Sequence, residues 1–372
     1  MTEPISRREA LALGAGALVG VTAAGRLLAQ PPAHRLWIRN ERPLDAEAPL
    51  GALAAFETPN DLFFVRSTYG PPPSAGAAFR LEVVGDVATP LALSLGELRA
   101  LGAERRPVTL ECAGNGRGLF ALPRTSGIQW EYGAVSTATW TGVPLGAVLE
   151  RAGVKAEALH FWMEPRDRVP FGPAPVFLRS IPRDVAMGDA FVAYEMNGRA
   201  IPAHHGGPVR LVVPGWFGMA STKWLGRIHA RPVESDNSFM QTSYRWSDRS
   251  PVQAMRVKSV IAAPLAGARV RAGRVAVKGQ AWTGAGAGGI RSVELTTDGG
   301  QAWAEARLVG PEHSGAWRSW EAEIDVTTPG PQRVAARATD RSGATQPRRA
   351  EPNSSGYGNN SWHEVAFEAV RG

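Results

Sequence analysis

Residues 109–118 read TLECAGNGRG. A β-type run, Val108-Thr109-Leu110, breaks just past Glu111 at the chain's one cysteine, Cys112, into a loop with glycines at 114, 116 and 118 and a single arginine, Arg117. A strand end followed by glycines holds side chains at a fixed place and lets the backbone approach a ligand closely. One cysteine in 372 residues makes no internal disulfide. The thiol is therefore a nucleophile, a soft metal ligand or a small buried hydrophobe. The flanking glycines and Arg117 weigh against the last of these.

The length suggests two domains, and 44% hydrophobic with 20% charged residues is an ordinary globular balance. With 42 glycines and 29 prolines the chain reads as loop-rich β or α/β rather than as a helical bundle. The net charge of +7 admits an anionic partner, but the arginines are scattered and form no run, which argues against nucleic acid. A positive field around a pocket for a small anion explains the same balance. Residues 1–30 read as a targeting segment: Ser6-Arg7-Arg8, an apolar stretch over 10–24, then Arg26 and Ala29. This is the pattern of a twin-arginine export signal, with Ala10 where phenylalanine is usual, and it predicts a periplasmic protein exported after folding. The apolar stretch is short and glycine-broken for a spanning helix.

From residue 31 to about 250 short apolar runs alternate with helical patches: a strand over 79–87, helices over 95–101 and 145–152, and a buried strand over 211–214. This predicts a mixed α+β domain. From 251 to 372 the texture becomes alternation, with strands expected over 257–263, 275–282, 290–297, 317–326, 334–339 and 365–370 and turn pairs such as Asp298-Gly299 and Pro329-Gly330 between them. Such spacing predicts an immunoglobulin-like β-sandwich without its disulfide.

Three further clusters carry polar groups of interest. TPNDLFFVR, residues 58–66, is an extended segment ending in Arg66. Residues 193–228 set His205, Arg210, Ser221, Thr222 and Lys223 between glycine turns and buried-looking strands, an arrangement suited to a phosphate. The His204-His205 pair lacks zinc spacing, and the glycine turns lack the context of a P-loop. Tyr244 sits in QTSYRW.

Together these clusters resemble the sulfite oxidase family of molybdopterin enzymes along nearly all of the chain after residue 30. CAGNGRG resembles its molybdenum-binding loop, STKWLGR its cofactor-phosphate segment, and AYEMNG with PVRLVVPG the strand-turn pair between them; SVELTTDGGQAW and the closing NNSWH resemble its dimerisation domain. The resemblance implies an α+β molybdopterin-binding domain followed by an all-β immunoglobulin-like dimerisation domain, and a molybdenum cofactor whose metal is bound by the Cys112 thiolate. It places Phe64, Val65, Arg66, Asp167, His205, Arg210, Gly218, Ser221, Thr222 and Lys223 at the cofactor, with Arg210 and Lys223 pairing its phosphate. It places Arg66, Arg117, Trp130 and Tyr244 around the substrate. The implied reaction is direct oxygen-atom transfer: the sulfur lone pair of sulfite attacks the equatorial oxo of Mo(VI), leaving Mo(IV) and sulfate, and electrons then leave one at a time.

Three positions depart from the family pattern. Thr68 stands where a histidine is usual, Gly116 where the first of two loop arginines is usual, and Ser355 where animal sulfite oxidases carry another substrate arginine. Each lowers the positive charge expected of the pocket. No haem-attachment site or flavin module is visible, so a separate acceptor, a c-type cytochrome, is expected. Two other readings stand beside this one: a related molybdopterin enzyme reducing a sulfoxide or N-oxide, and an exported non-catalytic binding protein in which Cys112 carries no metal.

Overall fold

The computed structural model describes residues 35–73, 78–120, 124–167 and 174–371. The expected export signal lies outside the described residues. Among the described residues no helix is long and apolar enough to cross a membrane.

Two five-stranded sheets carry the amino-terminal half. In the first, Glu104–Glu111 pairs with Val135–Pro144, which pairs with Phe191–Met196; the latter also takes Arg199–Ala200 and Arg210–Val212, all antiparallel. The second runs in the order Leu91–Leu93, Leu81–Gly85, Leu225–Arg231, His160–Pro165, Arg179–Pro182, with one parallel pair, between Leu81–Gly85 and Leu225–Arg231. Phe161 and Met163 point inward while His160, Trp162 and Glu164 stay half-exposed, the two-residue period of a sheet with one buried face. The helix Leu145–Ala152 packs on Val135–Pro144 and Phe191–Met196 of the first sheet and buries Leu145, Val148, Leu149 and Ala152, which recur at helical spacing, in the core shared with Phe161 and Met163. It ends where Gly153 takes a φ of 63° and turns its N–H back to the carbonyls of Glu150 and Leu149. Full burial of each of its larger aliphatic side chains contributes about 1.5–3 kcal/mol.

The strand expected over 79–87 is shorter, Leu81–Gly85. Gly85 stops it: its φ is 93°, and a Cβ there would sit 2.2 Å from the Ala230 carbonyl oxygen, so the chain turns where only glycine fits.

The carboxy-terminal half is a β-sandwich. One sheet is Lys258–Ala263, Gly273–Trp282, Arg318–Val326, Arg307–Val309; the other is Arg269–Arg271, His363–Val370, Gly330–Asp340, Ile290–Thr296, Ala304–Glu305. Their facing residues, among them Val277, Val293, Trp320, Val334 and Phe367, form one core. Along His363–Val370 the buried Val365, Phe367 and Ala369 alternate with Glu364, Ala366 and Glu368, the pattern read from sequence.

A further core joins the halves. Leu53, Val135 and Phe217 pack with Val260, Trp282 and Trp317, and Val252 and Met255 belong to the same cluster. Hydrogen bonds reinforce it: Trp317 N–H donates to Thr109 Oγ1 at 2.7 Å and its indole N–H to the Phe56 carbonyl at 2.8 Å.

Inside the sandwich Gly279 gives the Trp320 indole its space. A Cβ there would lie 2.3 Å from Trp320 Cζ2 and 2.0 Å from the Val260 carbonyl oxygen. Gly279→Ala is expected to cost about 1–3 kcal/mol through overpacking and to lower the midpoint of thermal unfolding followed by near-ultraviolet circular dichroism. An unchanged midpoint would show that the core yields.

Candidate active site

Cys112 follows the buried end of Glu104–Glu111, and its neighbours explain why the loop after it keeps one shape. Cys112 N–H donates to the Ala134 carbonyl at 2.9 Å and Asn115 N–H to the Cys112 carbonyl at 2.8 Å. Gly116 has a φ of 87°, and a Cβ on it would press on Asn359 at 3.0 Å. The position that lacks the usual arginine is thus packed against backbone-holding side chains, with Asn359 Nδ2 donating to the Gly116 carbonyl at 2.8 Å.

Directly before the cysteine, the Glu111 carboxylate accepts three donors. Oε1 takes Lys258 Nζ at 3.2 Å and Asn115 Nδ2 at 2.9 Å; Oε2 takes the Trp282 indole N–H at 2.9 Å. Both charged side chains are 3% exposed. Lys258 and Trp282 come from the sandwich, as does Gly358, whose N–H donates to the Ala113 carbonyl at 2.8 Å.

The Cys112 loop forms one wall of a cavity of about 90 Å³ that opens to solvent. Phe64, Arg66, Asp167, His205, Arg210, Gly218, Ser221, Thr222, Lys223 and Tyr244 all line it with Cys112. The structure therefore brings Cys112 together with ten residues that the family resemblance placed at the cofactor or the substrate. Val65 is inside the wall instead, exchanging backbone hydrogen bonds with Ala46 at 2.9 Å.

Two expected pocket residues stand back from the cavity. Trp130 is 1% exposed and packs in the core with Phe63, Phe64, Val108 and Leu110, offering only its carbonyl to the Gly118 N–H. Its size and apolarity draw it into that core. Arg117 does not line the cavity; it lies against Gly114 of the same loop, donating Nε to the Ser355 carbonyl and Nη1 to the Ile128 carbonyl, each at 3.1 Å, with its guanidinium 5.2 Å over the Tyr357 ring. At the two other departures, Thr68 lines the cavity and Ser355 acts through its carbonyl.

The charge balance of the cavity is unusual. Arg210 spends its guanidinium on the carbonyls of Leu211, His205 and Ser221, and Lys223 Nζ donates to Ser67 Oγ and the His204 carbonyl. Among the described residues neither forms an ion pair. Burial pushes Arg210 down to about 9; burial, then the charges of Arg210 and Arg66, hold Lys223 well below the usual lysine range. A buried and a half-buried cation without a counter-anion are costly alone and suit a bound phosphate. Burial also works against the charge of Arg66, but Tyr244, Asp45 and Cys112 together hold its pKa above the ordinary value; Asp45 pairs with it at 3.2 Å. Burial raises the Cys112 thiol, opposed by Arg66, the Gly114 amide and Arg117. A bound metal cation would deprotonate such a thiol outright. His205 is pushed down to about 3 by burial; the neutral ring donates Nε2–H to the Asn60 carbonyl at 2.8 Å.

Two polar atoms, Asp167 Oδ1 and Thr222 Oγ1, are buried without a partner among the described residues. Orphaned groups in a cavity with one thiol and unpaired cations fit a polar, anionic group bearing a thiophilic metal, as a molybdopterin does.

Sequence reading missed Glu111, Asp45, Ser67, Phe177, Arg179, Tyr357 and Lys258 as parts of the site. Lys258 falls in the strand expected over 257–263 and Arg179 follows the short apolar run Val176-Phe177-Leu178, with no local signal that joins either to the site. Tyr357 and Asp45 had none, since only the tertiary fold brings them near Cys112.

The family description for an oxidoreductase molybdopterin binding domain matches residues 69–239, and that for a Mo-co oxidoreductase dimerisation domain matches 249–370. The chain is 37% identical over 361 residues to the sulfite oxidase of Gallus gallus, covering 90% of this chain and 78% of that protein. It is 34% identical over 376 residues to the sulfite oxidase of Arabidopsis thaliana, covering 90% and 95%. Among solved structures, the sulfane dehydrogenase SoxCD from Paracoccus pantotrophus is similar with a TM-score of 0.76 at 27% identity, covering 93% of this chain and 89% of that one.

Removing Lys258 as Lys258→Met strands the Glu111 carboxylate in the interior, an expected loss of about 3–5 kcal/mol. Urea unfolding of the cofactor-free protein reads it, and adding Glu111→Gln should return part of the loss; no recovery would show that the charge is not the cause. The acid limb of stability offers a second check. Burial holds His205 and His363 at about 3 against 6.5, so stability rises as pH climbs between those values. Burial holds Asp167 at about 6 against 3.8, so the folded state keeps a proton the unfolded state has lost and stability falls over that range. Asp167→Asn removes the opposing contribution and should steepen the rise between about pH 4 and 6; an unaltered slope would mean that Asp167 is ionised throughout.

Proposed function

The chain belongs to the sulfite oxidase family of molybdopterin oxidoreductases, and we propose that it oxidises sulfite to sulfate by oxygen-atom transfer, passing the electrons to a separate acceptor. The observation that carries this reading is the cavity itself, which places the chain's one thiol beside Arg66 and Tyr244 and also holds the unpaired cations Arg210 and Lys223. It is a molybdenum-dependent enzyme, so the non-catalytic binding reading is set aside.

The molybdenum cofactor supplies two-electron oxygen-atom transfer when bound. The residues of this chain do the rest. Cys112 is the protein's thiolate ligand, fixed in place by the Glu111 network behind it. Arg210 and Lys223 hold the cofactor phosphate, with Ser221, Thr222 and the Gly218 turn beside them. Asp167 and His205, which line the same cavity, would face the bound group. Phe63 and Phe64 exclude water on the apolar side; their rings stack at 5.4 Å. Arg66, charged across the whole working pH range, attracts the sulfite dianion, and Tyr244 donates its hydroxyl proton to an oxygen of the bound oxyanion. Trp130 and Arg117 act from behind this surface, Trp130 as packing beneath the loop and Arg117 as the brace between the loop, Tyr357 and Ser355.

The acceptor in this reading is a c-type cytochrome in the periplasm, reached by twin-arginine export directed by residues 1–30. Assembly is as a homodimer through the region matched by the dimerisation domain, residues 249–370.

The test is molybdenum analysis of the purified protein with sulfite oxidation followed against ferricytochrome c and, separately, ferricyanide. About one molybdenum per chain and reduction of both acceptors are expected. Ferricyanide turnover without cytochrome turnover would remove the proposed acceptor and leave the reaction standing; molybdenum without sulfite turnover would overturn the reaction. Cys112→Ser should keep the fold and lose activity by at least about 100-fold, and Arg66→Met should raise KM for sulfite by about tenfold or more with a smaller change in kcat. Unchanged turnover in the first, or an unchanged KM in the second, would remove that residue from its role.

A further inference from the structure

Arg179 opens the edge strand Arg179–Pro182 and is 3% exposed, yet among the described residues it forms no ion pair. Its Nη1 donates to the Phe239 carbonyl, while its Nε is buried without a partner. Glu234, the carboxylate whose charge it feels, is committed to Arg245 at 2.8 Å. A guanidinium taken out of water with neither a carboxylate nor a full set of acceptors is costly unless its charge serves an anion that comes and goes.

Its surroundings say where that anion sits. The guanidinium lies 5.1 Å from the centroid of the Tyr244 ring, over its face. Tyr244 lines the cavity with Cys112 and Arg66. The tyrosine is held from other directions too: Tyr357 stacks on it at 5.4 Å and 12°, and Phe177 meets it edge-on at 6.2 Å. Its backbone takes a φ of 55°, uncommon for a side-chain-bearing residue, so the ring's place is imposed by what surrounds it. Arg117, over the Tyr357 ring, repeats the arrangement one layer away. Two stacked tyrosines therefore each carry a guanidinium over their face, and the cavity gains positive potential from charges that do not line it.

We propose that Arg179 is a positioning residue for the substrate oxyanion, acting through Tyr244: its uncompensated charge strengthens anion binding at the Cys112 end of the cavity and its contact fixes the tyrosine ring. This rests on the sulfite-oxidising reading for its substrate but not for its test. Through an aromatic ring and a low-dielectric wall a unit charge still acts across several ångströms, more strongly than one of the same separation in water. The charge absent at Ser355 is in part made good from the opposite half of the chain.

The experiment measures sulfate binding to the molybdenum-loaded protein by calorimetry, an equilibrium reading that needs no turnover, alongside KM and kcat for sulfite. Arg179→Gln keeps an N–H donor for the Phe239 carbonyl and removes the charge; Arg179→Lys keeps the charge. The sulfate Kd and sulfite KM should rise about tenfold in Arg179→Gln, stay within about threefold of the parent in Arg179→Lys, and exceed any fall in kcat. An unchanged Kd in Arg179→Gln, or equal losses in both variants, would overturn the proposal, because a purely structural role follows the contact and not the charge. Should a substitution at 179 prevent folding, Glu234→Gln on the outer side removes a nearby negative charge and should lower the sulfate Kd about twofold; no decrease would count against it. Charge-dependent sulfate binding with no sulfite oxidation by the parent would sink the proposed reaction and leave this inference standing.

Discussion

The Glu111 carboxylate is the point on which the two halves of the molecule close. Its oxygens collect an ammonium and an indole from the sandwich and an amide from its own loop, all out of water. Burying such a pair gains little net stability, because desolvation offsets most of the attraction. What it gains is geometry. Glu111 precedes Cys112, so the direction in which the thiol leaves the strand is set by residues 147 and 171 positions away. The hydrogen bonds from Gly358 and Asn359 to the loop carbonyls extend the same control across the glycines that follow. The sandwich thus braces the cavity's wall from behind.

Within that wall the protein keeps more positive charge than its own carboxylates neutralise. Arg210 and Arg179 are buried and Lys223 half-buried, all without an ion pair among the described residues, while Asp167 is the one acid among the described lining residues and Asp45 behind it is paired with Arg66. Folding carries the cost of these cations, and a ligand bearing phosphate or oxyanion charge returns it by mass action. The positions that lost charge relative to the family pattern, 68, 116 and 355, are each reused. Thr68 stays in the lining, Gly116 makes room for Asn359, and the Ser355 carbonyl anchors Arg117.

Much of the architecture was legible in the sequence because periodicity is local. Alternation gave the six longer sandwich strands to within a few residues at either end but not the short Arg269–Arg271, Ala304–Glu305 and Arg307–Val309, and the helix Leu145–Ala152 was announced by its apolar spacing. The residues gathered around the cavity were legible only through motif resemblance, since no local rule joins residue 66 to 112 or 223. Illegible were the long-range pairings. Lys258 looked like one polar position in an alternating strand, and nothing near it pointed to Glu111. Arg179 lies outside every element expected from the sequence. Trp130 and Arg117 show the complementary limit: their places in the motifs were plain, but whether each side chain faces the cavity or the core depends on packing that no short window contains.

The loop that carries Tyr357, Gly358 and Asn359 has a consequence for how the enzyme is made. Arg117 takes the Ser355 carbonyl as acceptor across 238 residues of sequence, and Asn359 reaches Gly116 across 243. On a translating ribosome the cysteine loop emerges long before the segment that completes it. The loop after Cys112 is therefore braced only once residues 355–359 have been made and folded back on it, so the site takes its final shape after the sandwich and not before.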